Sequence, residues 1–311
     1  MAANSQSFGE ASVWRALAET QPRLETVELH AGPLGPSERH ALVRALVRDG
    51  TCLYAYTNSV SQAQIMSFAR TLGLRALDQT LTASPDTLTT IGVSTDARKS
   101  NYVPYSPRPL GWHTDGYYNE PGAEVRVFLL HCVQPASEGG YNQFVDPRRV
   151  FARVAASNAD YVEILSASNC LTIPANISDG RTVRAEISVP VFALADDTTL
   201  LTRYTERKHN AIWSQAALDS GAWQTLHDAI RAEAETAPEV KLEQDSGVLS
   251  LNAIHRRSAF AFEDDKPRTL WRGRFLETGG AAIEKRGRSP VVHGRAPQQA
   301  QWTSLGDQGL Q

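Results

Sequence analysis

From residue 88 onward the chain is built from short apolar runs, too short for free-standing helices: "LTTIGVS" (88–94), "VRVFLLHCV" (125–133), "GYNQFVD" (140–146), "VPVFAL" (189–194), "TLLTRYT" (199–205), "SGVLSLNAIH" (246–255) and "RTLWRGRF" (268–275). Runs of this length, alternating or continuously apolar, predict strands. Two helical patches interrupt them, at about Pro147 to Ser166 and Ser214 to Thr236. The fold class expected is therefore mainly β with flanking helices. Ahead of this core, "LETVELHAG" alternates like a strand, and a capped helix is predicted from about Ser37 to Asp49. "TCLYAYT" reads as a strand and "SVSQAQIMSFARTLGL" as an amphipathic helix, so the opening is strand-helix-strand-helix. "ASVWRALAETQ" also has helical spacing. The predicted organisation is an N-terminal segment (1–24), one β domain with helical insertions (25–278) and a Gly-, Pro-, Gln- and Arg-rich tail without sustained period (279–311).

A chain of 311 residues with 41% hydrophobic content can bury a full core. Its net charge of −3 supplies no basic field for a phosphate backbone, so nucleic acid is not an expected partner. Cys52, Cys132 and Cys170 are far apart and odd in number, which gives neither a disulfide framework nor a zinc-finger spacing. No run of 18 apolar residues is present, and "MAANSQSFGE" lacks the charged and apolar regions of a signal peptide. The expectation is a cytoplasmic protein without a membrane partner.

Of eight histidines, His30, His40, His209, His227 and His293 fall in polar, helical or tail contexts, and His131 within "VFLLHCV" reads as a buried structural residue. His113 differs because Asp115 follows two residues later in "GWHTDGYYNEP". On an extended segment these two side chains project from the same side and can converge on one ion. Two histidines and a carboxylate on one face of a metal suit non-haem iron. His255, at the end of an apolar run, is the best third ligand. Downstream, Arg268, Arg272 and Arg274 lie at i, i+4 and i+6 of a strand-like run and share a face, which calls for anions or nearby acids such as Asp264 and Asp265. A zinc hydrolase using the same three ligands, or a non-catalytic barrel that binds or senses a small molecule, would also accommodate this pattern.

"WHTDGYY" (112–118), "LLHCVQPASEGGYNQFVD" (129–146) and "NAIHRRSAFAFEDDKPRTLWRGRF" (252–275) together resemble the taurine/2-oxoglutarate dioxygenase (TauD/TfdA) family, in the family's order and with a looser likeness from about Leu29 to Glu277. The resemblance implies a double-stranded β-helix (jelly-roll, cupin-like) core, iron(II), 2-oxoglutarate as co-substrate and O2. His113, Asp115 and His255 would hold the iron. Arg268, thirteen residues after His255, matches the arginine that grips the far carboxylate of 2-oxoglutarate, and Arg272 matches a second arginine that touches co-substrate or substrate in some members. Where many members have a co-substrate-binding threonine, this chain has Asn142, whose amide can donate the same hydrogen bond. The presence of Asp115 argues against halogenation. Tyr102, Tyr117, Tyr118, Arg203, Arg207 and Trp213 lie in segments expected around the iron and are the candidate substrate contacts, suited to a small polar or anionic molecule. Hydroxylation of a C–H bond is the expected outcome. The motifs are compatible with a homo-oligomer and do not decide it.

Overall fold

A computed structural model describes residues 23–78, 88–94, 103–178, 180–195, 199–277 and 279. The expected opening is present as β1 (Thr26–Leu29), α1 (Pro36–Asp49), β2 (Thr51–Tyr56) and α2 (Gln62–Thr71). Glu38 accepts hydrogen bonds from the N–H groups of Gly35 (2.7 Å) and His30 (2.9 Å) at the start of α1, and Gly50 at φ 69 closes its end. Ser61 and Gln64 cap α2 reciprocally. The helical run expected at residues 11–21 and the tail from 281 lie outside the described residues.

Next come β3 (Thr89–Gly92), β4 (Leu110–His113), β5 (Val127–Gln134), β6 (Asn142–Val145), α3 (Pro147–Ser157) and α4 (Ala159–Leu165). After several short side strands follow α5 (Gln215–Asp219), α6 (Ala222–Thr236), β7 (Ser246–Ser250), β8 (Ile254–Arg257) and β9 (Thr269–Phe275). Six strands form one sheet in the order β1-β2-β7-β5-β9-β3, antiparallel except for the β1–β2 pair. A second, antiparallel sheet has the order β4-β8-β6.

The unbroken apolar run of β5 follows from burial on both faces. Val127 and Leu129 pack with Leu42, Leu46, Ile65 and Phe68 of the two opening helices. Phe128, Leu130 and Cys132 point the other way, into a cluster with Phe144 of β6, Val248 of β7 and Leu270 of β9. That cluster joins the two sheets. His131 faces the helix side, where it stacks on Trp271 at 5.4 Å and lies 3.4 Å from the Tyr54 hydroxyl, in keeping with a structural role.

Three sequence expectations are refined by backbone geometry. "SGVLSLNAIH" is two strands in different sheets, because Asn252 at φ 52 turns the chain between β7 and β8. The patch at 147–166 divides at Asn158, whose extended backbone ends α3 while its side chain accepts the Asp160 N–H and starts α4. The patch at 214–236 divides at Gly221, with φ 84.

Helices α3, α4 and α6 cover the outer face of the small sheet, where Val145 and Ile254 join Val150, Phe151, Leu226 and Ile230. Buried Glu233 of α6 pairs with Arg149 (2.5 Å) and Arg153 of α3, tying these helices together. No helix among the described residues is long and apolar enough to cross a membrane.

Removing one partner from a buried ion pair strands the remaining charge. Glu233→Ala is therefore expected to cost about 3–5 kcal/mol, read as a lower urea midpoint with an unchanged slope.

Candidate metal centre

β4 and β8 run antiparallel with His113 directly opposite His255, and the two imidazole centroids lie 4.2 Å apart. Two residues beyond His113, the Asp115 carboxylate comes back beside it, with Oδ1 3.9 Å from His113 Nε2. All three side chains are buried, and one ligand atom from each lies within 4.8 Å of the others. Loop 202–206 steadies this edge: Thr114 N–H donates to the Tyr204 carbonyl (3.0 Å), and Glu206 N–H to that of Trp112 (2.8 Å).

The tautomers follow from the carbonyls beside each ring. His113 Nδ1 is 2.9 Å from the Gly111 oxygen, and His255 Nδ1 is 2.9 Å from that of Ala253. A carbonyl only accepts, so each Nδ1 carries the proton and each Nε2 presents a lone pair. Burial, and then the neighbouring His255, push the His113 pKa down to about 3 despite the opposing pull of Asp115. Burial also lowers His255. Burial pushes the Asp115 carboxyl up, but Arg272 and Arg274, followed by the two histidines, outweigh it and hold the group at about 2. Two neutral imidazoles and one carboxylate form a donor set that fits iron(II).

The three arginines expected to share a face do so. Along β9, Trp271 and Phe275 pack towards the opening helices while Leu270 points between the sheets, so residues of even number face inward. Arg272 Nη1 lies 3.8 Å from Asp115 Oδ1. Arg274 donates to the Tyr118 hydroxyl (2.9 Å) and pairs with Asp78 (2.8 Å). Burial works against its charge, but Tyr118, Asp115 and Asp78 outweigh it and raise its pKa. Arg268 is 5% exposed, sits 4.8 Å from the Phe260 ring centroid and has no carboxylate partner among the described residues. Burial lowers its pKa to about 10. Asp264 and Asp265 are exposed and make no ion pair with these arginines.

Asn142 points between the sheets beside Arg257, its cross-strand partner. Its amide donates to the carbonyls of Gly140 (3.2 Å) and Val240 (3.4 Å), so in this arrangement those hydrogens serve the loop. Tyr118 is half-buried over the site with Arg184 5.7 Å from its ring, and Tyr117 is buried with its hydroxyl accepting from Asn210 (2.7 Å). Arg203 already has partners within the chain. It is buried, and its guanidinium is used on the carbonyls of Tyr117, Asn119 and Glu120 and on Glu124, because a buried cation must find acceptors. Trp213, on a short side strand, packs with Tyr204, Trp223 and His227. Arg207 is exposed, and Tyr102 lies outside the described residues.

Two contributors were missed from sequence. Asn252 accepts the Asp115 N–H (2.9 Å) and donates to the carbonyls of Asp115 (3.0 Å) and Val125 (2.7 Å), clamping the carboxylate ligand's backbone three residues before His255. Only its left-handed backbone at a strand break could have signalled it. Arg257, two residues after His255 and so on the same face, is 6% exposed. It donates to the carbonyls of Ser106 (3.1 Å) and Arg108, and burial, then Arg268, lower its pKa to about 9.

The model of the taurine catabolism dioxygenase TauD, TfdA family matches residues 15–274. Uridine-5'-phosphate dioxygenases from Amycolatopsis sp and Streptomyces sp are 27% identical to this chain over 176 and 172 residues, covering 55% and 52% of it. The alignments cover 62% and 60% of those proteins, so the chain spans about three-fifths of the length of the curated relatives it matches. Among solved structures, the non-heme iron oxygenase OrfP in complex with Fe and alpha-ketoglutaric acid has a TM-score of 0.54 at 15% identity, covering 86% of each chain. Asparagine oxygenase in complex with Fe(II), 3-hydroxyasparagine and succinate has a TM-score of 0.53 at 14% identity, covering 86% of this chain and 90% of its own. At these identities the likeness shows the fold, a double-stranded β-helix.

Two outcomes follow from the geometry. Asn252→Gly keeps a residue suited to the left-handed turn but removes the clamp, and should weaken iron(II) binding about tenfold to a hundredfold in anaerobic titration with little change in melting temperature. In the metal-free protein His113 resists protonation, its pKa falling from 6.5 to about 3 on folding, whereas the unfolded chain takes the proton. Stability is thus complete above pH 6.5 and declines on acidification towards 3, with Asp115 adding to the loss between 3.8 and about 2. The melting temperature should fall over that range, and less steeply in a His113→Gln/His255→Gln variant.

Proposed function

The chain belongs to the taurine catabolism dioxygenase TauD, TfdA family, and from that premise we propose that it is an iron(II)- and 2-oxoglutarate-dependent dioxygenase oxidising a small anionic molecule. The observation that carries this reading is the buried His113–Asp115–His255 triad, with buried Arg268 lacking an acid among the described residues. Iron(II) with 2-oxoglutarate and O2 supplies the oxidising chemistry, coupling decarboxylation of the co-substrate to succinate with oxidation of a substrate C–H bond.

The residues divide the remaining work. His113, His255 and Asp115 would hold the metal. Arg268 meets the distal carboxylate of 2-oxoglutarate, for which its planar fork provides two parallel donors. A zinc hydrolase would leave Arg268 without a task. Arg272 and Arg274 place further positive charge beside Asp115, and the aromatic Tyr118 meets Arg274 through its hydroxyl. Such a wall selects an anionic substrate with a flat or apolar portion. The two curated relatives, named for uridine 5'-phosphate, make a nucleoside monophosphate the first class to test. Hydroxylation is the default outcome of this chemistry.

With iron(II), ascorbate, O2 and 2-oxoglutarate, succinate release should rise when the right member of a panel of nucleoside monophosphates, their unphosphorylated nucleosides and small carboxylates is added. His113→Ala should release none above background. Equal release by wild type and His113→Ala across the panel would sink the enzyme reading, whereas a response to neutral nucleosides alone would sink the anionic substrate.

A further inference from the structure

Two guanidinium groups, not one, are buried where the function proposed above would put the distal carboxylate of 2-oxoglutarate. Arg257 comes from β8 in the small sheet, and Arg268 immediately precedes β9 in the large one. They meet at Phe260, whose ring centroid lies 4.6 Å from Arg257 Cζ and 4.8 Å from Arg268 Cζ. Both residues are buried, at 6% and 5% exposure. Neither makes an ion pair among the described residues. Arg257 is satisfied only by carbonyl oxygens, those of Ser106, Arg108 and Ser258, which supply dipoles but no countercharge. Its cross-strand partner is Asn142, and Gly140 two residues earlier lies against Arg268, where a Cβ would come within 3.5 Å of Nε.

Two adjacent buried cations without an acid repel one another and are costly to desolvate. An anion bound between the sheets relieves both costs. We infer that Arg257 joins Arg268 in a two-cation clamp for the distal carboxylate of the 2-oxo acid co-substrate. This rests on the function proposed above and adds to it a residue that the motif spacing did not assign. Arg268 provides the bidentate contact, while Arg257, fixed by the Ser106–Arg108 loop, supplies the second charge. The clamp selects a co-substrate with a carboxylate at its far end over a 2-oxo acid that ends in a methyl group.

The test compares binding of 2-oxoglutarate with that of 2-oxobutyrate, which offers the metal the same 2-oxo acid but lacks the distal carboxylate. Calorimetric titration is carried out on the zinc-loaded protein, so no turnover is needed. Arg257→Gln should weaken 2-oxoglutarate about tenfold to a hundredfold and leave 2-oxobutyrate unchanged, whereas Arg257→Lys, which keeps the charge, should stay within about threefold of wild type. Arg268→Gln should behave as Arg257→Gln does. If Arg257→Gln weakens both acids equally, Arg257 serves only the loop and the inference falls. If Arg268→Gln alone discriminates, the inference falls while the proposed function stands. If neither variant discriminates, or wild type does not prefer 2-oxoglutarate, the co-substrate reading falls with it. Should Arg257→Gln not fold, Arg257→Met takes its place: loss of the preference for 2-oxoglutarate in the folded variant supports the clamp, and an unchanged preference overturns it.

Discussion

The cross-strand pairing of His113 with His255 is the constraint on which the remainder of the centre depends. An antiparallel ladder leaves no freedom in which residues stand opposite one another, so a register set by the packing of two sheets also sets the separation of two imidazoles. Both rings are turned by the backbone carbonyl two residues before them, which fixes the nitrogen each offers. The carboxylate then needs only a tight reversal after β4, and the Asn252 amide holds that reversal from the far side. A one-residue slip in either strand would send a ligand into the helical layer.

The second organising fact is the sign of the interior. Arg257, Arg268, Arg272 and Arg274 look inward, against the acids Asp78 and Asp115. A metal would add further positive charge, so such an interior is balanced only when anions occupy it. Binding and folding are therefore coupled through charge, and ligands that neutralise this excess stabilise the native state by mass action.

Features governed by local periodicity were legible in the amino-acid sequence. The apolar runs marked most of the strands, the His-x-Asp spacing marked two side chains of the buried cluster, and the parity of 268, 272 and 274 placed three arginines on one face. What could not be read depended on contacts between distant segments. Asn252 reaches across 137 positions to Asp115, and no local spacing encodes that. The acceptors of Arg203 lie about 80 positions away, in the loop after Asp115, and no local spacing encodes them either. Arg257 follows His255 by two residues on one strand, so the spacing alone puts it on the same face. The breaks at Asn158 and Gly221 were masked by helical spacing that continues across both.

The arginines carried by and just before β9 also act as a ruler. A strand advances about 3.4 Å per residue, so the backbones of Arg268 and Arg272 stand roughly 14 Å apart and those of Arg268 and Arg274 about 20 Å. The extra residue opposite the step from Thr269 to Leu270 is borne by β5, as Gln134 and Cys132 are their partners, so the graduations on β9 itself are undisturbed. A molecule gripped at one mark has a fixed allowance of length before it meets the next. Changes in what this scaffold accepts would thus come from the loops that close over the marks, since the marks themselves cannot move without unpairing the sheet.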